Sequence, residues 1–520
     1  MELTCTNDTI CINEVLYDGV LEQSVELDYL LPDYCKGIFK VLCCRLIPHI
    51  TQKRMANGRL MIEGICHIHV MYTAEETYRI CTVTQKQPFH KTLELNKEAA
   101  SPHITASVRC DYVNCRATSQ RRLDIRGALT IRTIVTAPKD YPVLCCAKGC
   151  GVQTDPLPLT VLGRRLSASQ EFCVREELSV PQGKPSIDEI LTIDTYASLT
   201  ESRIIENRII TKGELFVHLL YMPCGEQPTP EVIESRFPFS QVLDLPGVTE
   251  EHSAAVRFDV TDYTCSCKQD ESGQCCAVNA EFSICAVCEA DKNMEIHVLR
   301  DAFSTQYQAD TQVSPLTTKR MLYPLKETHS CKTTIEIPQN ELNGVYDLAC
   351  RFTEEDCRMG ESSFIITGTL SCTLLACDSE SMPVLYEKKT PCELTLQTAC
   401  SEESCFLQPI ICPSSVSYRM ISDTEVEVCA ELCVTGTVYA DVRCHAVTQI
   451  DLRENDAQKP QQPPLRLYYA SAGERIWEIA KRYGASPLLI AQENEGITDP
   501  ISAPCMLMIP SLSHSSQEGA

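Results

Sequence analysis

Three stretches of the chain, RLMIEGICHIHVMY, RIITKGELFVHLLY and SFIITGTLSCTLLA, align on Gly64, Gly213 and Gly368, with an apolar residue at every second position after the glycine. Cys66, Ile68 and Val70 share one face, as do Leu215, Val217 and Leu219, and then Leu370, Cys372 and Leu374. Alternation with a period of two marks a half-buried strand, because successive side chains leave a pleated backbone on opposite sides. A glycine kept at one register position predicts a bulge or a close backbone approach. Such a repeat constrains the fold more than composition does, since one structural solution must serve three times.

Two further landmarks recur in the same order. DIRGALTIRTIV, CCAVNAEFSICAV and EVEVCAELCVTGTV align on Gly127, Ala280 and Ala430. Their inward residues are Leu129 and Ile131, Phe282 and Ile284, then Leu432 and Val434. Pro32, Pro181 and Pro338 stand before the landmark glycines at nearly constant separation. Each copy is too long for a solenoid unit, and turn-rich connections such as YMPCGEQPTP separate its strands. The expected fold class is mainly β: three tandem β-sandwich-like repeats over residues 1–150, 165–305 and 320–452. The polar, Pro- and Gln-rich RENDAQKPQQPP, residues 453–464, reads as a linker.

After the linker the pattern changes. Ile476, Ile479, Ala480 and Tyr483 form one apolar stripe at helical spacing, and Gly484 stands where a left-handed C-cap is wanted. Ser486-Pro487 supplies an N-cap and first-turn proline for a second helix through Leu488, Leu489, Ile490 and Ala491. LRLYYA before the helices and MLMIP after them read as strands, giving a small α+β module of βααβ order over residues 465–511.

Composition then narrows the partners. With 46 basic and 70 acidic residues the formal charge is -24, which repels phosphate backbones and anionic lipid; nucleic acid is not expected as a partner and a basic protein surface fits better. The opening MELTCTNDTICINEV has neither a basic n-region nor an apolar h-region, and no run approaches the ~18 apolar residues of a membrane helix. The expectation is a chain with no membrane span, retained in the compartment that makes it. The 33 cysteines form an odd count, and in a reducing cytoplasm they serve as small core hydrophobes. Later oxidative cross-linking is the alternative use.

The module resembles a LysM domain through Tyr469, Gly473, the Ile476-Trp477-x-Ile479-Ala480 run, Tyr483-Gly484, Asn494, Pro504 and Ile509-Pro510. Glu474-Arg475 and Cys505 depart from the family pattern, which has Asp-Thr or Asp-Ser and Gly at those places. Modules of this family commonly bind N-acetylglucosamine glycans in a groove between two loops, here Ala472–Arg475 and Asn494–Ile497. The resemblance therefore implies Gly473, Glu474, Arg475, Asn494, Glu495 and Ile497 as contact residues, with Trp477 in the core. A LysM after glycine-centred repeats is similar to the SPOCS–LysM spore-coat morphogenetic proteins of spore-forming Firmicutes. That likeness implies a cytoplasmic protein of the mother cell at the forespore surface, a structural adaptor docking to a SpoIVA-like coat ATPase. Peptidoglycan or its precursor is the alternative partner, with the β repeats as spacer and edge strands open to self-association.

Chemistry-bearing clusters are weighed against plain packing. His67 and His69 share a strand face opposite the apolar one, so a solvated face is expected rather than a metal site, with His218 the repeat equivalent of His69. Cys265, Cys267, Cys275, Cys276, Cys285 and Cys288 suggest a zinc ribbon, yet Cys285 and Cys288 fall on opposite faces of a strand rather than on a turn. Cys145, Cys146 and Cys150 are expected to be the exposed thiols. No GxSxG, phosphate loop, HExxH or metal carboxylate set is present, so no catalytic residue, metal or cofactor is assigned and an enzyme is not expected.

Overall fold

A computed structural model describes residues 3–95, 99, 101–225, 228–269, 273–337, 342–398, 400, 404–422, 424–453 and 465–510. Pro338 and the expected linker beyond Arg453 lie outside the described residues. Among those described, the protein is mainly β, with 22 strands and two short helices.

The first unit contains β1 (Thr4–Leu30), β2 (Ile38–Ala56), β3 (Arg59–Ala74), β4 (Ile80–Glu94), β5 (His103–Ser119) and β6 (Arg122–Lys148). Antiparallel sheets of order β1-β6-β5 and β2-β3-β4 bury one shared core, including Val25, Leu46, Ile68, Phe89, Ile104 and Leu129. After β7 (Val152–Leu162), the second unit repeats the scheme with β8 (Leu166–Ser179), β9 (Ile187–Ile205), β10 (Arg208–Pro223), β11 (Glu231–Asp244), β12 (Ser253–Gln269) and β13 (Cys275–Asp291). Its two sheets are joined by the single bridge Cys275–Ile187. After β14 (Asn293–Ser304) come β15 (Gln308–Glu336), β16 (Gly344–Met359), β17 (Ser363–Cys377), β18 (Pro383–Gln397), β19 (Cys405–Ser422) and β20 (Glu425–Arg453), in orders β15-β20-β19 and β16-β17-β18. The module at the C-terminus is β21 (Leu465–Ala470), α1 (Ile476–Tyr483), α2 (Pro487–Glu493) and β22 (Cys505–Pro510).

The repeated glycines sit on the middle strands β3, β10 and β17, and both expectations about them hold. A Cβ at Gly64 would collide with the Phe89 ring and the His49 carbonyl, at Gly213 with the Phe239 ring, and at Gly368 with the Phe352 ring. Each neighbouring strand slips register beside its glycine, at Ile50/Gln52, Lys212/Gly213 and Glu354/Asp356. The bare glycine lets a phenyl ring approach the backbone where any side chain would be in the way. The alternating residues after each glycine are buried in the respective cores as their period requires.

The units are in contact with one another. Met71, Leu220 and Leu375, which occupy the same repeat position, meet in one buried cluster with Cys43, Ile80, Leu191 and Met222. A second shared core comes from segments that the repeat did not predict. The N-terminal part of β1 pairs with the C-terminal part of β6, β7 pairs with β14, and the N-terminal part of β15 pairs with the C-terminal part of β20. These three ribbons bury Ile10, Val143, Val161, Ile296, Val298, Leu316 and Ala446 together. The stretch between the first two units is thus itself a strand.

Candidate functional site

The C-terminal module folds as its stripe requires. Ile476, Trp477, Ile479 and Ala480 are buried, Lys481 and Arg482 occupy the last turn of α1 where cations suit the helix dipole, and Gly484 takes φ 60° with its N–H on the Ala480 carbonyl. Proline opens α2 as expected, and Ile490 is its buried residue. Ser486 stands at the N-cap position of α2, yet its hydroxyl donates outward to Gln153 Oε1 at 3.3 Å. The first N–H of α1 is satisfied from far away, Ile476 N donating to Asp499 Oδ1 at 3.0 Å. No local pattern pointed to Asp499.

The six expected contact residues fare differently. Gly473 is exposed at φ +89°, with open space beside it, and donates its N–H to the Ile501 carbonyl at 2.8 Å. Glu474 accepts from the Ser471 N–H at 2.9 Å and the Tyr468 hydroxyl at 2.8 Å, which hold its carboxyl below the usual range. Asn494 works as a strand partner: Nδ2 donates to the Met508 carbonyl and Oδ1 accepts the Met508 N–H, both at 2.8 Å. Ile497 packs half-buried against the module core, and Glu495 is exposed. Arg475 points into the β body. Its guanidinium bonds both oxygens of buried Asp155 on β7 at 3.3 Å, and Arg300 on β14 bonds the same carboxylate at 2.6 Å.

That ion pair belongs to a seat. The Trp477 ring meets Phe303 of β14 edge-on at 5.0 Å, and its Nε1 donates to Asp301 Oδ2 at 3.0 Å. Lys481 Nζ bonds the same carboxylate at 2.6 Å. Trp477 is thus core packing as expected, but the core is shared between the module and the β7–β14 ribbon, with Phe303 in the same cluster as Ile479 and Ile490. The seat takes up the α1 side of the module and leaves the sheet facing outward. On that face Leu467 lies opposite Met508 and Tyr469 opposite Met506, with Leu465 at the end. These five side chains are 39–66% exposed and carry no charge, a concentration of apolar surface that marks an interaction site more often than scattered single residues do.

A second group of functional side chains lies where the units meet. His67 and His69 were expected on a solvated face; both are buried, because the second unit covers that face of β3. With His49, Arg45, Thr192, Asp194, Asp262, Tyr263 and Arg351 they line a cavity of about 100 Å3. His69 Nε2 donates to the Leu191 carbonyl at 2.8 Å, and Arg45 pairs with Asp194 at 3.3 Å. His67 Nε2, His69 Nδ1 and Thr192 Oγ1 make no hydrogen bond, although His67 Nε2 lies 3.7 Å from Asp262 Oδ1. Burial, then the neighbouring His67, lower His49 to about 4, and burial likewise lowers His67 and His69. At the next junction burial alone would lower His218, but the Asp347 carboxylate at 2.7 Å outweighs it and lifts the imidazole to about 9.

Among the described residues, no group of three His, Cys, Asp or Glu side chains is placed to hold a metal, and no helix is long and apolar enough to cross a membrane. Cys285 is half-buried and Cys288 buried, on opposite faces of β13 as the alternation requires. Cys145, Cys146 and Cys150 are half-buried rather than exposed, since they lie where the β1–β6 ribbon and its turn pack. Cys5, Cys173, Cys224, Cys267 and Cys276 are the exposed thiols, and Cys400 and Cys405 form a disulfide.

Comparison with known families adds the class. Residues 37–118 and 186–268 each match the family model described as SipL, SPOCS domain. The two matches cover β2–β5 and β9–β12, the equivalent four strands of the first and second units. In these two stretches the chain is similar to the SPOCS domain of SipL, a sporulation-related family. No curated protein and no solved structure matches it.

Proposed function

We propose that this chain is a non-enzymatic structural adaptor of the spore envelope, built from three tandem SPOCS β-sandwiches and a C-terminal LysM domain that docks to a coat protein on the forespore surface. The partner in this reading is a SpoIVA-like coat ATPase, and the site of action is the mother-cell side of the forespore. The SPOCS matches support the setting. The observation that carries the docking role is the outward apolar sheet of Leu465, Leu467, Tyr469, Met506 and Met508. A flat face without charge suits a protein surface, whereas glycan sites need convergent polar groups. The loops that would supply such groups are largely engaged inside the chain: Arg475 with Asp155, Glu474 with Ser471 and Tyr468, and Asn494 with Met508. Glycan binding through Gly473, Glu495 and Ile497 is the second reading, favoured by the open space at Gly473.

The test uses the full chain. It is presented to an immobilised SpoIVA-like ATPase and, separately, titrated with muropeptides and N-acetylglucosamine oligomers. The expected result is capture by the ATPase, weakened at least tenfold by Leu467→Ser with Tyr469→Ser and unchanged by Glu495→Ala. Micromolar glycan binding that falls with Glu495→Ala, with no ATPase capture, would overturn the adaptor reading.

A further inference from the structure

The cavity between the units is unsatisfied at its buried end and charged where it opens. All three units line it: the first with Arg45, His67 and His69, the second with Thr192 and Asp262, the third with Arg351 of β16. Most of the charge is matched within the protein. Arg45 pairs with Asp194 at 3.3 Å, and Lys86 holds both oxygens of Asp262 at 2.7 Å. Arg351 is exposed and forms no ion pair among the described residues, so three cations face two carboxylates. At the buried end His67 Nε2, His69 Nδ1 and Thr192 Oγ1 make no hydrogen bond, on side chains exposed by 6%, 6% and 8%. Buried polar atoms are rarely left unpaired, and three of them on one small cavity mark a place for a ligand. Their chemistry restricts it. His69 Nε2 donates to the Leu191 carbonyl, so Nδ1 can only accept, whereas the Thr192 hydroxyl can donate or accept.

We propose that this cavity binds a small oxyanion that retains a proton, hydrogen phosphate being the simplest. Its charged oxygens would face the Arg351 guanidinium and the Thr192 hydroxyl, and its remaining O–H would donate to His69 Nδ1. His67 Nε2, out of hydrogen-bond reach of Asp262 at 3.7 Å, supplies a further donor. A metal-free cation such as ammonium would meet two guanidinium groups here. A fully ionised oxyanion such as sulfate would set an oxygen lone pair against the lone pair of Nδ1. The volume of about 100 Å3 has room for several waters, and so for one tetrahedral oxyanion. The formal charge of -24 opposes anions at long range, but salt screens charges beyond ~8 Å and the balance around the cavity has the opposite sign. Because the binding groups come from all three units, an occupied cavity would also tie the units together.

The full chain is titrated by calorimetry at pH 8 with inorganic phosphate, with sulfate and with methyl phosphate. At that pH free phosphate keeps one proton, whereas sulfate and the monoester have none to give. The expected result is one phosphate bound per chain, with the other two ions weaker by at least about tenfold. The thermal midpoint should rise with phosphate concentration. Arg351→Ala, at an exposed position, should weaken phosphate by about tenfold or more, and Thr192→Val, which keeps the side-chain shape, should weaken it as well. No phosphate binding at millimolar concentration would overturn the proposal. So would sulfate bound as tightly as phosphate, which would leave charge as the sole attraction, or methyl phosphate bound as tightly, which would point to a phosphoryl group on a larger molecule. Phosphate affinity unchanged in both variants would place the ion elsewhere and overturn it too.

Discussion

His69 and His218 occupy the same place in two repeats, five residues after Gly64 and Gly213, and both reach the neighbouring unit, yet they carry different charge. His69 meets the backbone of the second unit. A carbonyl only accepts, so the Leu191 contact fixes the proton on Nε2 and leaves the Nδ1 lone pair facing the cavity without a partner. Burial keeps this ring neutral. His218 meets the third unit through a carboxylate, with Asp347 at Nε2 and Glu234 at Nδ1, and two acceptors require both nitrogens to be protonated. Position within the repeat decides that a side chain reaches a junction. The residue presented by the next unit decides what charge it holds there.

Removing Asp347 is the largest way to break the contrast. Asp347→Ala leaves an imidazolium buried with only the more exposed Glu234, and we expect a loss of about 2–4 kcal/mol by urea unfolding at neutral pH. His69→Gln at the other junction should cost less than half of that, because a neutral donor can still reach the Leu191 carbonyl.

The pH profile sharpens the contrast. His218 has a folded pKa raised above 6.5 to about 9, so its contribution is complete below 6.5 and is lost as the pH rises through 9. His49 is lowered to about 4, so its contribution is present above 6.5 and is lost as the pH falls toward 4. Stability measured by urea titration across this range should fall on both sides. His218→Gln should flatten the alkaline limb alone, and His49→Gln the acidic limb alone; a profile unchanged by either would refute the assignment.

The smallest effect concerns the seat of the C-terminal module, where a carboxylate again meets a buried ring. Asp301→Asn keeps an acceptor for Trp477 Nε1 but removes the charge that Lys481 pairs with, and about 1 kcal/mol is expected. Trp477 is the only tryptophan, so its fluorescence reports the seat directly. A red shift in Asp301→Ala that is absent in Asp301→Asn would show that the hydrogen bond, rather than the ion pair, holds the ring.

Much of this fold was legible in the sequence because alternation is a local property. The inward residues around Gly64, Gly213 and Gly368 follow from the pleat alone, as does the stripe of α1. The face bearing His67 and His69 was misread because period two separates two faces without saying which is wet. Both faces of β3 are covered, one by its own unit and one by the next. The contact residues of the C-terminal module were partly legible: Gly473 and Glu495 remain open, whereas Arg475 is taken up by Asp155, three hundred residues earlier. The β7–β14 ribbon that holds Asp155 and Asp301 was missed because it has no copy in the repeat pattern.

What the sequence determined by itself is whatever a residue's near neighbours can enforce: the strands, their inward faces, the bulges at the landmark glycines and the glycine C-cap of α1. Only the tertiary structure decided which histidines carry charge and which side of the C-terminal module faces out. Those properties depend on pairs such as His218 with Asp347 and Trp477 with Asp301, whose partners lie more than a hundred residues apart. Strand periodicity contains no information about which distant surface will cover a face. That is settled only when the three units and the ribbons bury their remaining apolar area against one another.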